Sequence, residues 1–366
     1  MKFNILQQDL LPSLQAVARS VGTRSTLPVL DNILLSADKG KLKIAATNLE
    51  IGVIKYINVD AEVPGGITVP AKTLVELISG LKQDKVLLET TGEVLSIESG
   101  KLKASINGIS AAEFPAIPLS SESGVIFPKD AFLTSSQILF ASAVDEGRPV
   151  LTGILTEVVS GKLDFVATDG FRLAHRQFNL PKDKTQFKSL IPKRTFEEVL
   201  RIISEEAIEE IHISTSANQN HVVFNLGSTI VSSRLIEGQF PNWGKIIPQK
   251  IAARALVEKE ELLKAIKLAA VFAKNEANIV VLTAKKGILK LQSQAKEVGS
   301  QENEIEGEVE GEELTIAFNT KFLLDAISNS PSTQVMIEFS GALSAALIKP
   351  IGVEGLEYIV MPVRLS

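Results

Sequence analysis

The chain contains no cysteine, few aromatic residues and no excess of positive charge. The absence of cysteine among its 366 residues excludes disulfide bonds and thiolate metal ligands, and is typical of a protein from a reducing compartment. Aromatic residues make up 5% of the chain, with one tryptophan, which argues against stacking platforms for single-stranded nucleic acid. The net charge of −5 means that any contact with nucleic acid depends on charge placement.

Long apolar segments are also lacking. No run approaches the ~18 apolar residues that a membrane-spanning helix requires, and the opening MKFNILQQDL is too polar for a secretory signal. We therefore expect a cytoplasmic protein with no membrane partner. Hydrophobic residues make up 45% of the chain and charged residues 22%, as in ordinary globular proteins. The length exceeds what a single core fills, so we expect two or three domains.

Sequence motifs for catalysis are missing. The chain has no GxxxxGK[ST], GxGxxG or GxSxG segment, and His175, His212 and His221 lack the spacing of metal ligands, so we interpret them as structural. We predict no catalytic residue, no metal and no cofactor. A hydrolase that uses Asp169 and His175 remains a rival hypothesis, although Asp169-Gly170 is typical of a turn after a strand.

The sequence instead contains a long repeat. GKLKIAATNLEIG begins at Gly40 and GKLDFVATDGFRLAH begins at Gly161, 121 residues later. Similar helical segments follow both, ITVPAKTLVELISGL and LIPKRTFEEVLRIIS, and a weaker third copy has GILKLQSQ and then LTIAFNTKFLLDAIS. One third of 366 residues is 122, so we predict three versions of one domain, at 1–120, 124–247 and 248–366.

Each copy combines two helical patterns with alternating segments. Leu10, Leu14 and Val17, for example, recur at the spacing of one helix face. The predicted helical segments are 9–20, 71–82, 130–143, 193–204, 258–274 and 320–329. Segments such as 41–44, bounded by turn residues, predict antiparallel strands. The fold class is therefore α+β, with two helices packed on curved antiparallel sheets in each domain.

Charge is unevenly distributed along the chain. Residues 301–313 contain seven glutamates and no basic residue. Most of these glutamates share one parity while Ile305 and Val309 hold the other, which predicts a strand with an acidic outer face; a solvated edge is the simpler interpretation. The six helical segments sum to +2 and the remainder to −7. That contrast fits either a phosphate-facing layer or an ordinary helix surface.

Four separated stretches resemble the bacterial sliding clamp family, the beta subunit of DNA polymerase III. They are RPVLTG from Arg148, ATDGFRLA from Ala167, Phe240-Pro241, and VMPVRL from Val360, and the similarity runs the full length. The resemblance implies a head-to-tail homodimer that closes a ring of six like domains around duplex DNA, with helices lining the hole, and that is not an enzyme. Implied partners are the polymerase III alpha subunit, the clamp loader complex, and other DNA polymerases and repair proteins that carry a clamp-binding motif. A peptide-binding adaptor without DNA encirclement remains the alternative.

The repeat explains why such a ring requires two chains. A domain of about 122 residues has a diameter of roughly 35 Å. Six such spheres leave a hole about 35 Å across, wider than duplex DNA at about 20 Å, whereas three spheres leave only about 5 Å. A ring that links DNA topologically needs only mild, sequence-independent attraction to phosphate.

The resemblance places Arg24 and Lys72 at positions that approach the duplex, with Arg148 nearby. The helical charge pattern adds Arg201, Lys264 and Lys267 as candidate DNA contacts. For ring closure, the resemblance sets a basic edge against an acidic edge of the second copy, with two apolar contacts. The residues implied at that dimer interface are Lys101, Lys103, Ile106, Phe272, Glu302 and Glu304.

The resemblance also implies a pocket between the second and third domains for a partner peptide with apolar anchors. Exposed methyl groups, prolines and a pliable methionine suit an adaptable groove. Phe171 stands where many relatives have histidine. The implied pocket residues are Leu151, Thr168, Gly170, Phe171, Arg172, Leu173, Pro241, Lys245, Ile246, Leu343, Ile359, Val360, Met361, Pro362, Val363 and Arg364.

Overall fold

The computed structural model describes residues 1–22, 27–82, 84–119, 124–180, 186–216, 220–274 and 278–364. Within these ranges the helices are α1 (Gln7–Ala18), α2 (Ala71–Ser79), α3 (Lys129–Thr134), α4 (Lys193–Glu205), α5 (Lys259–Ala273) and α6 (Thr320–Ser328). None of these described helices combines the length and apolarity needed to span a membrane.

The chain forms two compact units that divide the middle third between them. Unit 1 consists of Met1–Asp130 and Arg194–Leu235, and unit 2 of Ala131–Lys193 and Ile236–Ser366. Strand pairing explains the division, because each half of the middle third continues a sheet of a flanking third. The domain bounds 1–120, 124–247 and 248–366 remain predictions.

Unit 1 contains a five-stranded and a nine-stranded antiparallel sheet. The five-stranded sheet runs β5 (Asp60–Val63), β1 (Lys2–Leu6), β7 (Lys85–Thr91), β8 (Val94–Ser99) and β9 (Leu102–Asn107). The nine-stranded sheet runs β10 (Ile109–Ser110), β6 (Gly65–Pro70), β2 (Asn32–Asp38), β3 (Lys41–Thr47), β4 (Ile51–Asn58), β18 (Thr229–Arg234), β17 (His221–Leu226), β16 (Glu210–Thr215) and β11 (Gly124–Pro128).

Unit 2 contains a nine-stranded and a four-stranded antiparallel sheet. The nine-stranded sheet runs β15 (Phe187–Pro192), β12 (Gly153–Val159), β13 (Lys162–Thr168), β14 (Arg172–Asn179), β27 (Leu356–Val360), β26 (Ala346–Pro350), β25 (Gln334–Phe339), β19 (Ala253–Glu258) and β23 (Glu308–Gly311). The four-stranded sheet runs β22 (Gly299–Glu306), β21 (Ile288–Ala295), β20 (Ile279–Lys285) and β24 (Leu314–Asn319).

The predicted repeat is confirmed in the order of elements. Each third contains the sequence strand, helix, three strands, twice over, with short additional strands β5, β10 and β23. Each nine-stranded sheet joins strands from two of the three repeats. The first is joined where β4 pairs with β18, with Val53 opposite Val231; the second is joined where β14 pairs with β27, with Leu173 opposite Ile359.

The helices form because their apolar residues recur on one face. Helix α4 buries Phe196, Val199 and Ile203, and burial of one phenylalanine side chain contributes about 2–3 kcal/mol. Helix α1 packs on α2 in unit 1, and α5 packs on α6 in unit 2. The α+β fold class with two helices per third is as predicted from the sequence.

The predicted helix at 130–143 is shorter in the structure. Helix α3 ends at Thr134 and is followed by 3-10 turns at Ser135–Gln137 and Leu139–Ala141. The hydroxyls of Thr134, Ser135 and Ser136 each donate a hydrogen bond to the carbonyl three residues earlier. Such side-chain bonds compete with the α-helical backbone pattern, which the apolar periodicity of this segment did not reveal.

Candidate functional site

A surface groove of about 880 Å³ lies in unit 2. Three segments form its walls: the residues after a 3-10 turn at Trp243–Lys245, the loop that follows β25, and the segment that follows β27. Leu343 is 67% exposed and Met361 41% exposed, so the groove presents apolar side chains to solvent. Its lining residues are Lys245, Ile246, Ile247, Pro248, Gln249, Lys250, Ser340, Leu343, Ser344, Ala345, Met361, Pro362 and Arg364.

Beneath the groove lies a buried apolar cluster. Its members come from six adjacent strands of the nine-stranded sheet, β15, β12, β13, β14, β27 and β26. Ile246, Ile247 and Ala345 line the groove and also pack against this cluster. Because side chains alternate along each strand, one face of these strands can pack against the residues that line the groove. The buried members are Leu155, Val166, Leu173, Leu190, Leu347 and Ile359.

The turn between β13 and β14 is fixed by its own side chains. The hydroxyl of Thr168 donates to the carbonyl of Arg172 at 2.6 Å and accepts from the Gly170 N–H at 3.1 Å. One oxygen of Asp169 accepts from the N–H groups of Phe171 and Arg172 at 2.9 and 3.0 Å. Gly170 has φ +91°, a conformation that favours glycine because it carries no Cβ.

Arg172 is buried and joins this turn to α6. Its Nε donates to Asp169 at 3.0 Å, Nη1 donates to Asp325 on α6, and Nη2 donates to the carbonyl of Phe140 at 2.9 Å. Its guanidinium also lies 4.9 Å from the ring centre of Phe322. With two carboxylates and a carbonyl as partners, the charge of Arg172 is compensated at this site.

Phe171 connects the turn to the end of the chain. Its side chain is 58% exposed and stacks on Phe322 of α6 at a ring separation of 6.0 Å. Its carbonyl accepts a hydrogen bond from the N–H of Met361 at 2.9 Å. The turn is therefore attached to a segment that lines the groove.

His175 lies on β14 with a carboxylate at each ring nitrogen. Nε2 is 2.7 Å from Asp164 and Nδ1 is 3.0 Å from Glu357. Burial opposes the charged form, but hydrogen bonds to Asp164 and Glu357 outweigh it and raise the pKa of His175 above its ordinary value of 6.5. Asp169 has partners in its own turn, so each residue of the hydrolase hypothesis is engaged elsewhere.

The predicted pocket residues fall into three structural groups. Six line the groove: Lys245, Ile246, Leu343, Met361, Pro362 and Arg364. Four form the turn: Thr168, Gly170, Phe171 and Arg172. Four are buried, Leu151, Leu173, Ile359 and Val360, and of these Leu173 and Ile359 belong to the cluster beneath the groove. Pro241 is exposed before the 3-10 turn, and the N–H of Val363 donates to the carbonyl of Ala317.

Sequence reasoning missed part of the lining. The additional residues are Ile247, Pro248, Gln249, Lys250, Ser340, Ser344 and Ala345. The signal available was proline spacing, because Pro241 and Pro248 bracket a segment that cannot continue a regular strand. For the loop after β25, no sequence pattern distinguished it from an ordinary connection.

Two outer strands carry the charges predicted at the dimer interface. Strand β9 is one edge of the five-stranded sheet and β22 is one edge of the four-stranded sheet. Lys101 and Lys103 are exposed at β9, and Glu302 and Glu304 are exposed on β22. Lys290 donates to Glu302 at 2.8 Å, a hydrogen bond that lowers the pKa of this carboxyl. Ile305 is 4% exposed, as predicted for the opposite face of an acidic strand.

The apolar residues near these edges differ in exposure. Ile106 on β9 is 7% exposed, so its own unit covers the side chain. Phe272 on α5 is half-buried, whereas Leu268 and Val271 on the same helix are 54% and 60% exposed. Val298, next to β22, is 55% exposed. These three exposed residues were not predicted.

The candidate DNA contacts also differ in their surroundings. The side chain of Lys72 on α2 is 88% exposed, and Lys264 and Lys267 are exposed on α5. Arg201 is 18% exposed and pairs with Glu198 and Glu205 within α4, so its charge is compensated locally. Arg148 donates to the carbonyl of Asp169 at 3.1 Å, next to the turn. Arg24 lies outside the described residues.

Comparison with known proteins identifies the family. Models described as the N-terminal, central and C-terminal domains of the DNA polymerase III beta subunit match residues 1–118, 130–242 and 244–364. A beta sliding clamp of Synechococcus elongatus is 33% identical over 378 residues and the match covers 100% of both chains.

Two solved structures show the same fold. The DNA polymerase III beta subunit of Pseudomonas aeruginosa bound to griselimycin has a TM-score of 0.94 at 28% identity, covering 100% of both chains. A beta sliding clamp of C. crescentus, with polyethylene glycol at a region proposed for beta-motif tethering, has a TM-score of 0.91 at 28% identity, covering 100% of this chain and 99% of that chain. With three domain models matched in order along its length, the chain belongs to the DNA polymerase III beta subunit family, the bacterial beta sliding clamps.

Proposed function

We propose that two copies of this chain close head to tail into a ring around duplex DNA, and that the unit 2 groove tethers replication and repair proteins to that ring. The observation that carries the proposal is the pairing pattern of equivalent strands. In the first, second and third repeats, the first half ends on β4, β14 and β22, respectively. The equivalent strands in the second half are β9, β18 and β27.

Two of the three possible seams between these strands are made within the chain. Strand β4 pairs with β18, and β14 pairs with β27. The equivalent strands that are left, β22 and β9, are edges of a four-stranded and a five-stranded sheet. Pairing β22 of one copy with β9 of the next would complete nine strands, as in the other two sheets, and would cover two otherwise exposed edges.

Charge and apolar surface favour this pairing. Lysines at β9 and glutamates on β22 are complementary, which sets the partner and the register more than the affinity. Leu268, Val271 and Val298 supply exposed apolar surface near the acidic edge, of the kind that an interface core requires. Ile106 contributes little area because it is already buried.

The contact with DNA in this proposal is loose. Lys72, Lys264 and Lys267 are exposed cations on helices, each able to interact with phosphate without reading sequence. Arg201 is left out because its two glutamates compensate its charge. We place the ring in the cytoplasm and assign it a tethering role without catalysis.

The groove suits an extended peptide with apolar anchors. Its apolar lining is accompanied by Lys245, Lys250 and Arg364 and by no carboxylate among its lining residues, so a peptide with an acidic residue beside its anchors is favoured. The polymerase III alpha subunit, the clamp loader and other polymerases and repair proteins are the proposed carriers of such peptides. A peptide-binding adaptor that does not encircle DNA is the alternative function, favoured by the groove alone.

The first experiment measures assembly. Sedimentation or light scattering should give a mass near twice 39.4 kDa for the intact chain, and the double variant Glu302→Lys, Glu304→Lys should be monomeric. The matched control Glu308→Lys, Glu310→Lys places the same charges on β23 and should remain dimeric. Adding Lys101→Glu and Lys103→Glu to the first variant should restore the dimer. A stable monomer of the intact chain contradicts the proposal.

The second experiment separates the ring from the adaptor. After loading onto nicked circular DNA with a clamp loader and ATP, the protein should co-elute with the circle and be released when the circle is cut once. Release on cutting reports a topological link, because the DNA sequence and charge are unchanged. An adaptor would show equal retention on both forms, or none.

A further inference from the structure

His175 and its two carboxylate partners form a largely buried charged cluster that the proposed tethering function does not use. His175 pairs with Asp164 on β13 and with Glu357 on β27, so its side chain spans the seam where β14 meets β27. The side chains of His175, Asp164 and Glu357 are 6%, 12% and 21% exposed. The amide of Gln177 also donates to Asp164 at 2.8 Å.

Two carboxylates at hydrogen-bond distance require two donors from the ring. A neutral imidazole has one N–H and one lone pair, so it would turn a lone pair toward one carboxylate. An imidazolium donates to both. The hydrogen-bond geometry therefore favours the charged ring, which agrees with the raised pKa of His175.

The charged side chains on β12 and β26, the strands that flank this group, are already paired. Glu157 on β12, opposite Asp164, binds Lys188 at 2.8 Å. On the other side, Lys349 of β26 binds Glu338 at 2.9 Å. The imidazolium of His175 thus supplies the positive charge between Asp164 and Glu357, and its loss would leave two partly buried carboxylates facing a neutral ring.

One face of His175 supports the wall of the groove. The ring of Trp243 lies 4.4 Å from the ring of His175, and Trp243 packs against the apolar cluster under the groove. Trp243 opens the 3-10 turn that ends at Lys245, and its carbonyl accepts from the N–H of Ile246 at 2.9 Å. Lys245 and Ile246 are the first residues of the groove wall.

We propose that His175 is a positioning residue of the groove, which as an imidazolium clamped between Asp164 and Glu357 fixes Trp243 and, through it, the wall that a partner peptide contacts. This inference rests on the proposed peptide-binding role of the groove. It predicts that binding is strongest when His175 is charged. Since its pKa is raised in the folded state, the stabilisation is complete below pH 6.5 and is lost as the pH rises through the raised value.

The test uses the intact protein and two readouts between pH 6 and pH 9. The first is the fluorescence of Trp243, the only tryptophan of the chain, which an adjacent imidazolium quenches and which should increase as His175 loses its proton. The second is the anisotropy of a fluorescein-labelled heptapeptide with leucine and phenylalanine anchors and one aspartate. Its affinity should fall about fivefold over the same pH range, the size expected for coupling through packed side chains.

The variant His175→Gln removes the charge and should bind the heptapeptide about fivefold more weakly at pH 6, with no further change up to pH 9. The matched control His212→Gln, at an exposed position on β16, should keep the profile of the unmodified protein. If His175→Gln does not fold, the two titrations of the unmodified protein are sufficient to decide.

Three outcomes separate the hypotheses. No binding of the heptapeptide at any pH overturns the proposed groove function, whatever the fluorescence does. Binding that does not change while the Trp243 signal titrates overturns the positioning role of His175 and leaves the groove function intact. A Trp243 signal whose titration midpoint lies at or below pH 6.5 overturns the charged clamp itself.

Discussion

The turn at Thr47–Ile51 in unit 1 and the turn at Thr168–Arg172 in unit 2 share one hydrogen-bond pattern. In both, the threonine hydroxyl donates to the carbonyl four residues on and accepts from the N–H two residues on. In both, the side-chain oxygen of the second residue, Asn48 or Asp169, accepts from the N–H groups two and three residues on. The shared pattern fixes the backbone, so any difference in function must come from the remaining side chains.

Those remaining side chains differ in what they contact. The last residue is Ile51 in unit 1, a buried apolar side chain, and Arg172 in unit 2, which binds Asp169, Asp325 and the carbonyl of Phe140. The third residue is Leu49 at φ +73° in one turn and Gly170 at φ +91° in the other. Only the second turn is thereby connected to a helix of the next third.

The apolar sheet faces near these two turns also differ in how they are covered. In unit 1, Phe114 and Ile117 pack on the cluster of Leu34, Ala45 and Ile54. A Cβ added at Gly52 would lie 2.9 Å from Ile117, which indicates close packing there. In unit 2 the equivalent face is covered by residues 236–247 and retains a groove of about 880 Å³. The repeat therefore produces two similar surfaces, of which one is filled by its own chain.

The largest expected effect comes from the residue that distinguishes the turns. Arg172→Met should lower the free energy of unfolding by about 3 kcal/mol, because it leaves Asp169 and Asp325 without their cation. The matched variant Ile51→Met should cost less than about 1.5 kcal/mol, since volume and polarity are nearly conserved. Urea unfolding followed by circular dichroism measures both. Equal losses would mean that the Arg172 network contributes no more than packing.

A second prediction compares the filled and the open surface. Ile117→Ala should cost about 2 kcal/mol and leave heptapeptide binding unchanged. Ile246→Ala should cost about 1 kcal/mol, because its side chain already borders the open groove, and should weaken heptapeptide binding about tenfold. Urea unfolding and fluorescence anisotropy give the two quantities. A reversal of the two binding results would contradict the assignment of the groove.

The smallest expected effect concerns the third turn residue. Leu49→Gly should stabilise the protein by about 0.5 kcal/mol, because relief of the left-handed conformation exceeds the entropy cost of glycine. The reciprocal change Gly170→Ala should destabilise by about 1 kcal/mol, and its Cβ would lie 3.1 Å from Nη1 of Arg148. Thermal unfolding of both variants provides the measurement. A destabilised Leu49→Gly would show that the exposed Leu49 side chain contributes contacts of its own.

The sequence predicted what depends on local pattern and did not predict what depends on long-range contact. Periodicity located the helices, and parity identified the acidic face of β22 with Ile305 inside. It did not reveal that Arg172 binds Asp325, 153 residues away, or that His175 binds Glu357, 182 residues away. These partners become neighbours only when β14 pairs with β27, a choice among many strands that the pattern of any one strand leaves open.

The location of the groove shows the same division. Family resemblance indicated Leu343 and Met361 as pocket residues, and both line the groove. The adjoining Ile247 and Ala345 were missed because a single apolar residue next to a proline or serine belongs to no periodic pattern. Helix α3 was predicted too long because apolar spacing takes no account of hydroxyl bonds to the backbone.

The acidic strand β22 also gives the proposed ring a direction. Two copies that met through β22 alone would bring six glutamates, three from each, along one seam, and two that met through β9 would oppose lysine to lysine. Like charges placed opposite each other repel. Of the three ways to join two identical chains by these edges, charge penalises both symmetric ones, so every closed ring would present the same face of each subunit on the same side.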